Sequence, residues 1–544
     1  MARYIFIAGG VMSGIGKGVS TAAIAAILKN CGFRASCIKI DPYLNVDAGT
    51  MNPVEHGEVF VTDDGLECDQ DIGNYERFLD ENMYRHNYMT SGQVYQEVIG
   101  RERSLGYGGR CVETVPHIPE EVIRRIELAA KKDKADFVLV EIGGTIGEYQ
   151  NLIFFEAGRM MKLKSPDKVL FVVVSYLPVP HMIGEMKTKP TQHAVRTLNA
   201  SGIQPDIIIA RSALPLDNPR KRKIASFCNI KEDDIISAPD VKSIYEIPVN
   251  FERGKISERI LTKFNLPVKK SRLVNWQKLG RKIKSVRKEI RIGIVGKYFS
   301  TGRFTLSDSY ISVIEAVKHS AWHNGLKPNI LWLNAEEYEK DSKKLSELDK
   351  LDGVIVPGGF GDRGVEGKMG AIGYARRKKI PYLGLCYGMQ LAVIEFARSV
   401  AKLRQASSTE ISARTAYPVV STLQEQEKNL SEGKFGASMR LGAYPCEIKS
   451  GTASFRAYGE KNIVERHRHR YEFNNDFRDK FEKLGLVVAG INPQRNLVEI
   501  IELKNHPFFV GVQFHPELKS KPFKPHPLFN EFIKSARANS ARQK

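Results

Sequence analysis

The chain has 544 residues, of which 42% are hydrophobic, and its formal net charge is +20. This length and composition exclude a disordered or fibrous protein and predict at least two globular domains, each with its own hydrophobic core. No apolar run approaches the roughly 20 residues that a membrane-spanning helix requires, and the first residues lack the features of a signal peptide, so we expect a cytoplasmic protein with no membrane partner.

The seven cysteines are scattered along the chain, at positions 31, 37, 68, 111, 228, 386 and 446. Their number is odd, and no two of them have the C-x-x-C spacing. Both features favour reduced thiols over a disulfide framework or a zinc site.

The first half of the chain alternates short apolar runs with helical patterns. The apolar runs cover residues 4–8, 36–40, 137–142, 169–175 and 206–211. Several of them are nearly continuous in Val, Ile and Phe, as are strands buried on both faces. We therefore predict an α/β domain at 1–265, with a mostly parallel sheet covered by helices.

A glycine-rich loop at residues 9–18 joins the first predicted strand to a helix that begins near Val19. Successive backbone amides and a helix N-terminus can hold phosphate oxygens there, with Lys17 at the outer phosphates. The loop is like a P-loop but departs from a strict Walker A motif, because Val11 replaces Gly and Gly18 replaces the Ser or Thr.

The missing hydroxyl at Gly18 bears on metal binding, because that hydroxyl normally binds Mg²⁺. Carboxylates are the simplest replacement. Asp71 and Glu141 are the candidates, and Glu141 lies at the end of a predicted strand, where ligands gather in parallel sheets.

Residues 187–193 place two cations and two hydroxyls close together around a proline. We interpret this cluster as a second triphosphate subsite. The alternative is an ordinary loop that leads into a helix.

Residues 253–291 carry most of the net charge, with 14 Lys or Arg against two acidic residues, or +12 of the total +20. Five apolar residues recur in this stretch at helical spacing: Leu273, Trp276, Leu279, Ile283 and Val286. The pattern favours a basic linker helix, assigned to 266–289, over a nucleic-acid or polyanion surface. We therefore do not expect a nucleic-acid partner.

A second alternation of strands and helices predicts another α/β domain at 290–544. Its apolar runs cover residues 290–295, 329–333, 353–357, 382–385, 497–503 and 508–514. Cys386 follows one of these runs and precedes a helical pattern, so we expect it on a sharp strand-to-helix turn with its sulfur exposed. A helix N-terminus and a neighbouring imidazolium both favour the thiolate.

His515 and Glu517 follow the last apolar run and, two residues apart in extended chain, point to the same side. Glu517 can then orient the imidazole of His515, which serves as the base for Cys386. The alternative for a lone cysteine is a small buried hydrophobic residue. A thiol, a base and a carboxylate in this chain order predict a glutamine-hydrolysing amidotransferase.

Seven motifs together make the chain resemble the CTP synthase family from residue 4 to about residue 532. They occupy residues 13–18, 39–43, 56–61, 75–78, 187–192, 357–361 and 465–472, the last reading Glu-Arg-His-Arg-His-Arg-Tyr-Glu. The resemblance implies an N-terminal amidoligase domain and a C-terminal class I glutamine amidotransferase domain. It further implies ATP-dependent amination of UTP to CTP with ammonia from L-glutamine, Mg²⁺ as cofactor, GTP as allosteric activator and a homotetramer.

The resemblance also implies a role for each matching residue. For ATP the residues are Gly14, Ile15, Gly16, Lys17, Gly18, Val19, Asp71, Asp240 and Val241, and for Mg²⁺ they are Asp71 and Glu141. For UTP or CTP they are Ser13, Glu148, Tyr149, Gln150, Lys187, Thr188, Lys189, Pro190, Thr191, Gln192 and Lys223. For glutamine they are Gly359, Tyr387, Gly388, Met389, Gln390, Glu410 and Arg470.

Residues 148–150, 387, 407 and 438 depart from the family pattern. Glu148-Tyr149-Gln150 stand in place of Asp-Ile-Glu, Ser407 stands in place of Asn, and Ser438 stands in place of Thr. Gln150 replaces the usual Glu in the region associated with CTP recognition, so the strength of CTP feedback stays open. Tyr387 replaces the usual Leu after the nucleophile, and we expect a minor effect because the backbone amides of Gly359 and Tyr387 form the implied oxyanion hole.

Two other functions would account for some of these sequence features. A cobyric-acid-type synthetase shares the unusual phosphate loop and a cysteine domain, but the 187–192 cluster has little purpose for a corrin substrate. An inactive polyanion-binding scaffold would explain the basic segment but would need neither Lys17 nor the triad.

Overall fold

The computed structural model describes residues 2–182, 184–297, 300–301, 304–305, 307–422 and 439–542. The chain forms two compact units, one of Met1–Asp47 with Asn74–Lys284 and one of Ala48–Gly73 with Ser285–Lys544. The short segment Ala48–Gly73 therefore belongs to the second unit. The sequence boundaries at 265 and 290 remain predictions.

The first unit is built on a seven-stranded sheet. Its strands are β1 (Arg3–Gly9), β2 (Ala35–Asp41), β3 (Tyr88–Thr90), β4 (Phe137–Ile142), β5 (Val169–Tyr176), β6 (Ile207–Ser212) and β7 (Ile235–Pro239). They lie in the order β3-β2-β4-β1-β5-β6-β7, and every neighbouring pair is parallel. The predicted parallel sheet is thus confirmed, and β4 is buried along its whole length, as its continuous apolar run requires.

In the described part of the first unit, nine helices besides the helix Asp71–Leu79 connect and cover these strands. They are α1 (Lys17–Asn30), α2 (Ser91–Arg103), α3 (Thr114–Lys132), α4 (Leu152–Lys164), α5 (Lys189–Ala200), α6 (Asn218–Cys228), α7 (Ile247–Arg253), α8 (Ile256–Lys263) and α9 (Val274–Ser285). Helix α1 packs on β2 and β4 and is rich in buried alanine, so it approaches the sheet closely. The loop before α1 is consequently held at the centre of the sheet.

Helix α9 corresponds to the basic segment, and its predicted amphipathic pattern is confirmed. Trp276 and Leu279 are buried, and the Trp276 ring stacks on Phe78 and Tyr245 with ring centroids 5.1 and 6.2 Å apart. The helix therefore packs against the rest of the first unit through its apolar residues.

The second unit is built on a nine-stranded mixed sheet. Its strands are β8 (Glu289–Gly296), β9 (Lys327–Asn334), β10 (Gly353–Val356), β11 (Tyr382–Leu385), β12 (Arg440–Ile448), β13 (Asn462–His469), β14 (Leu486–Asn492), β15 (Leu497–Leu503) and β16 (Phe509–Val512). The order is β9-β8-β10-β11-β16-β15-β14-β12-β13, parallel from β9 to β16 and antiparallel beyond. Strand β11, which leads to Cys386, is near the centre of the parallel part.

Helices cover both faces of this sheet, since alternate residues of β10 enter two separate hydrophobic clusters. The helices are α10 (Ile311–His323), α11 (Ala335–Lys340), α12 (Val365–Lys378), α13 (Tyr387–Ser399), α14 (Ala453–Tyr458), α15 (Arg478–Lys483) and α16 (Pro527–Arg542). Short strands lie outside the main sheet at Ser300–Thr301, Phe304–Thr305, Ala406–Ser408, Tyr417–Thr422 and Tyr471–Phe473.

Two arginines of β13 hold the segment Ala48–Gly73, which contains helix Pro53–His56 and strands Val59–Val61 and Glu67–Asp69 and leads into helix Asp71–Leu79. Arg466 donates to Asp63, and Arg468 donates to Glu67 at 2.7 Å. Because alternate residues of a strand face the same side, these cations form one row.

Among the described residues, no helix combines the length and the apolar character needed to cross a membrane. All seven cysteines are free thiols. The prediction against a disulfide framework is therefore confirmed.

The Trp276 contacts predict that α9 is anchored by one side chain. Trp276→Ala should destabilise the docking of α9 by about 3–5 kcal/mol, because it removes a large buried aromatic group. Limited trypsin digestion of the native protein should then cleave within 266–289 much faster than in the parent. Gln277→Ala, at the exposed neighbouring position, is the control, and equal cleavage of the two variants would refute the anchoring role.

Candidate active sites

The glycine-rich loop that is predicted to bind phosphate joins β1 to helix α1, as the sequence indicates. Gly14 and Gly16 have φ values of 69° and 81°, a left-handed conformation that favours glycine. Helix α1 begins at Lys17, and the first amides of a helix have no acceptor within it. The Nζ atom of Lys17 donates to the carbonyl oxygen of Gly144 at 2.6 Å. The loop after β1 and the loop after β4 therefore meet at this lysine.

Glu141 lies at the end of β4 and is almost fully buried. Lys39 of β2 donates to its carboxylate at 3.0 Å, and Tyr75 donates a second hydrogen bond. The sequence analysis gave no role to Lys39 or Tyr75, although both lie in family motifs. The pairing of β2 with β4 places Lys39 beside Glu141, whereas Tyr75 reaches Glu141 from the helix Asp71–Leu79.

Asp71, the other predicted metal ligand, begins the helix Asp71–Leu79, and its amide donates to Asp69 at 2.8 Å. Asp71 belongs to the second unit and Glu141 to the first. Their joint role in metal binding stays a prediction. Both offer oxygen ligands, which is the donor chemistry that Mg²⁺ prefers.

The predicted nucleotide residues after β5 gather at the start of α5. Thr188 precedes the helix and accepts from the side-chain amide of Gln192 at 3.0 Å, and the Thr191 hydroxyl bonds to that of Ser175 at 2.8 Å. Lys187 pairs with Glu185 at 2.7 Å. Pro190 occupies the first turn of the helix and Lys189 begins it.

The remaining predicted nucleotide residues lie in loops and on an exposed helix face. Glu148 accepts from the amide of Thr145 at 2.8 Å and from the side chain of Gln150 at 2.8 Å, while Tyr149 is 93% exposed. Asp240 pairs with Arg211 at 2.7 Å. Ser13 and Lys223 are exposed, and Val241 is half-buried.

Arg211 is a contact of the phosphate loop that the sequence analysis missed. It also donates to the carbonyl oxygen of Ile15 at 3.2 Å. The side chain thus connects the loop at 13–18 with Asp240. Its position at the end of β6 is the signal that could have indicated it.

Cys386 occupies a strained turn between β11 and α13. Its φ of 49° and ψ of −100° are unusual for a residue with a side chain. The turn brings the backbone of α13 so close to β10 that a Cβ on Gly388 would lie 2.1 Å from the carbonyl oxygen of Val356. Only glycine fits at that position, and the expected strand-to-helix turn is present. The expected exposure of the sulfur is wrong, because the packing around this turn leaves Cys386 only 4% exposed.

The Nδ1 atom of His515 lies 2.7 Å from Glu517, and Nε2 has no hydrogen-bond partner among the described residues. Burial acts to lower the pKa of His515, but the Glu517 carboxylate and the Cys386 sulfur outweigh it and raise the pKa to about 10. The imidazolium is therefore retained as the pH rises through neutrality and is lost only as the pH approaches that value. The three predicted residues come together.

Glycine also makes room for the imidazole. A Cβ on Gly358 would lie 2.9 Å from Cε1 of His515 and 3.9 Å from Cβ of Cys386. These three residues line a small cavity together with Gly359 and Glu517. A side chain at 358 would therefore displace the imidazole from the nucleophile.

A neighbouring cavity of about 380 Å³ contains most of the predicted glutamine-binding residues. Its lining includes Gly359, Cys386, Gln390, Glu410 and Arg470. Burial raises the pKa of Glu410, whose carboxylate accepts from the amide of Gly361 at 2.8 Å. A carboxylate and a guanidinium beside one nucleophile match the two charged groups of a free α-amino acid.

Tyr387, Gly388 and Met389 form the first turn of α13, and neither cavity is lined by them. Any role they have in binding is then through the backbone. The predicted role of the Tyr387 amide in an oxyanion hole is of this kind.

Gln513 is a site residue that the sequence analysis missed. Its amide donates to the Cys386 sulfur at 3.7 Å, and its oxygen accepts from Gln390 at 3.4 Å. Gln390 also donates to the Tyr471 carbonyl at 2.9 Å, so its side chain is held from two sides. Because Gln513 is two residues before His515, period-two alternation could have placed it on the same side.

The segment Ala48–Gly73 supplies part of the wall of the glutamine cavity through Gly49, Thr50 and Met51. Arg468 donates to the Gly49 carbonyl at 3.2 Å, and its own carbonyl lies 3.8 Å from the Cys386 sulfur. One strand of the second unit therefore contacts both the nucleophile and the inserted segment.

Two protein-family models match the chain. The model described as CTP synthase N-terminus matches residues 3–266, and the model described as Glutamine amidotransferase class-I matches residues 305–535.

Proteins of known sequence and structure are similar to the same regions. The CTP synthases of Caldanaerobacter subterraneus subsp. tengcongensis and Clostridium kluyveri are each 48% identical to this chain, over 98% of it and 98% of their own length. A solved structure of the Trypanosoma brucei CTPS glutaminase domain with bound acivicin is 36% identical. It covers 46% of this chain and 94% of its own, with a TM-score of 0.42.

The contact between His515 and Glu517 predicts the effect of removing one charge. Glu517→Gln should lower the pKa of His515, because it removes a carboxylate that opposes the effect of burial, and should slow glutamine hydrolysis by about 10²- to 10⁴-fold. Alkylation of Cys386 by iodoacetamide should require a higher pH, since a neutral imidazole no longer stabilises the thiolate. Glu531→Gln, which removes a surface partner of Lys534 on α16, is the control. An unchanged pH profile for Glu517→Gln would exclude this role.

Proposed function

The chain belongs to the CTP synthase family, and we propose that its two units divide the reaction, one releasing ammonia from glutamine and the other activating UTP. It is a glutamine-hydrolysing ligase that converts UTP into CTP. The observation that carries the proposed division is the convergence of Cys386, His515 and Glu517 in one unit and of Lys17 with the glycine loop in the other.

In the proposed glutaminase half-reaction, the Cys386 thiolate attacks the side-chain carbonyl carbon of glutamine. The amides of Gly359 and Tyr387 stabilise the negative oxygen, each by about 3 kcal/mol. His515 donates its proton to the departing nitrogen, which leaves as ammonia, and the acyl group remains on sulfur. His515 then accepts a proton from water, which hydrolyses the thioester.

Glu517 keeps the imidazole of His515 oriented through both steps, because its carboxylate is 2.7 Å from Nδ1. The Gln513 amide supports the sulfur from another side at 3.7 Å. Glutamine itself is proposed to bind with its ammonium group toward Glu410 and its carboxylate toward Arg470. Both charges lie in the lining of the cavity that contains the nucleophile.

In the proposed synthetase half-reaction, the oxygen at C4 of UTP is made a better leaving group by phosphoryl transfer from ATP. Ammonia then forms the new C–N bond as phosphate departs. Residues 14–19 hold the ATP phosphates. They supply the first backbone amides of α1 and the ammonium group of Lys17, and both kinds of group bind phosphate oxygens. Lys187, Thr188 and the start of α5 hold the phosphates of UTP, with Ser13, Lys223 and residues 189–192 around them.

Mg²⁺ is proposed to be held by Asp71 and Glu141, whose oxygen atoms suit it, and when bound it neutralises phosphate charge. Lys39 pairs with Glu141 at 3.0 Å and so holds that carboxylate in place. Asp240 and Val241 are proposed to lie near the adenine of ATP. Arg211 links that region to the phosphate loop through its contact with Ile15.

Product recognition is proposed to involve Glu148, Tyr149 and Gln150. The Gln150 amide donates to Glu148 at 2.8 Å, which a carboxylate at 150 could not do. Activation by GTP, assembly into a homotetramer and a cytoplasmic location complete the proposal.

The division of labour predicts the behaviour of a variant without the nucleophile. Cys386→Ala should abolish CTP formation from glutamine and leave CTP formation from ammonia within about twofold of the parent, because the thiol acts only in the first half-reaction. CTP is measured by its absorbance change with each nitrogen source. Cys446→Ala, which removes a buried thiol elsewhere in the second unit, controls for general destabilisation. Loss of both activities in Cys386→Ala alone would indicate a structural role.

The phosphate assignment predicts the opposite pattern for Lys17. Lys17→Met should reduce CTP formation from either nitrogen source by at least about 100-fold, since the outer phosphates lose their cation. Glutamine hydrolysis, measured as glutamate release without nucleotides, should persist. Lys29→Met, at the other end of α1, is the matched control. Full ammonia-dependent turnover in Lys17→Met would contradict the assignment.

A further inference from the structure

Lys368 of α12 is a buried cation with no assigned function. Its side chain is fully buried, and Nζ has no hydrogen-bond partner among the described residues. Lysine is almost never fully buried unless it is paired, because an ammonium group loses its hydration there. A packing role alone would be served at least as well by methionine or leucine. The position therefore needs a further explanation.

The surroundings of Lys368 connect it with the glutaminase site. Its Nζ lies 3.5 Å from the position that a Cβ on Gly359 would occupy and 5.3 Å from the centre of the Tyr387 ring. These are the two residues whose amides form the proposed oxyanion hole. The amine therefore lies beside both of these residues, within the protein interior.

A second lysine supports the same loop. Lys297 donates to the carbonyl oxygen of Phe360, the residue after Gly359. Burial, followed by the positive charge of Lys297, lowers the pKa of Lys368 to about 7. Within the described part of the chain, no group accepts a hydrogen bond from Nζ. An anion formed nearby would therefore stabilise the protonated amine.

We propose that Lys368 is a positioning residue of the oxyanion hole, which supports Gly359 and Tyr387 from behind and is stabilised when negative charge develops on the glutamine carbonyl oxygen. The inference rests on the proposed glutaminase function. In a low-dielectric interior, a cation behind two hydrogen-bond donors strengthens their interaction with an anion. Because that anion exists only during the reaction, Lys368 should affect kcat more than KM.

The test is Lys368→Met, which keeps the length of the side chain and removes its charge. We expect kcat for glutamine hydrolysis to fall about 10- to 100-fold with KM changed less than about threefold. Alkylation of Cys386 by iodoacetamide should proceed at the parent rate, because that displacement forms no oxyanion. CTP formation from ammonia should also be unchanged.

A matched control exists on the same helix. Lys378 also lies over a tyrosine ring, that of Tyr374 at 5.7 Å, but its side chain is exposed. Lys378→Met should leave every readout unchanged. The thermal unfolding temperature of Lys368→Met should equal or exceed that of the parent, since an unpaired buried amine is replaced by an apolar group.

Three results would overturn the inference. The first is parent kcat in Lys368→Met, and the second is an equal fall in hydrolysis and alkylation, which would place the effect on the nucleophile. The third is failure of both Lys368→Met and the second variant, Lys368→Leu, to fold, which would make the amine structural. A different result would contradict the proposed glutaminase function itself: glutamine hydrolysis that persists in the Cys386→Ala variant.

Discussion

The backbone turn at Cys386 is the constraint on which the proposed glutaminase site depends. A residue held at such φ and ψ values costs about 1–3 kcal/mol, and the surrounding sheet sustains that cost. The Cys386 amide donates to Val512 at 2.7 Å, and Gly388 allows α13 to pack against the carbonyl of Val356. Because β11 and β16 are neighbours, the same contact aligns the nucleophile with the His515 that follows β16.

Buried charges behind the site keep β13 in register. Arg440 pairs with Glu499 at 2.6 Å and with Glu472 at 3.3 Å, and His467 lies 2.8 Å from Glu499. Burial raises the pKa of Glu472 to about 8. Such a network adds little to the free energy of unfolding. It favours one alignment of the strands, because any other alignment would leave a buried charge without its partner. The strand that carries Arg468 past the nucleophile is thereby fixed.

The glutamine cavity is not made by the second half of the chain alone. Gly49, Thr50 and Met51 belong to the inserted segment Ala48–Gly73, which lies within the region matched by the CTP synthase N-terminus model. Ion pairs with Arg466 and Arg468 hold this segment. The region matched by the CTP synthase N-terminus model therefore contributes directly to the cavity in which glutamine is proposed to bind.

The sequence by itself determined what depends on local pattern. Continuous apolar runs identified the parallel strands. Glycine spacing identified the loop at 9–18 and the turn at Cys386. The two-residue interval between His515 and Glu517 placed their side chains on the same side of the chain. Only the tertiary structure decided which distant residues meet: Lys39 with Glu141 across two strands, Gln513 with Cys386, and Lys368 behind Gly359. The physical reason is that burial and charge pairing arise from packing between elements remote in sequence, which no local spacing specifies.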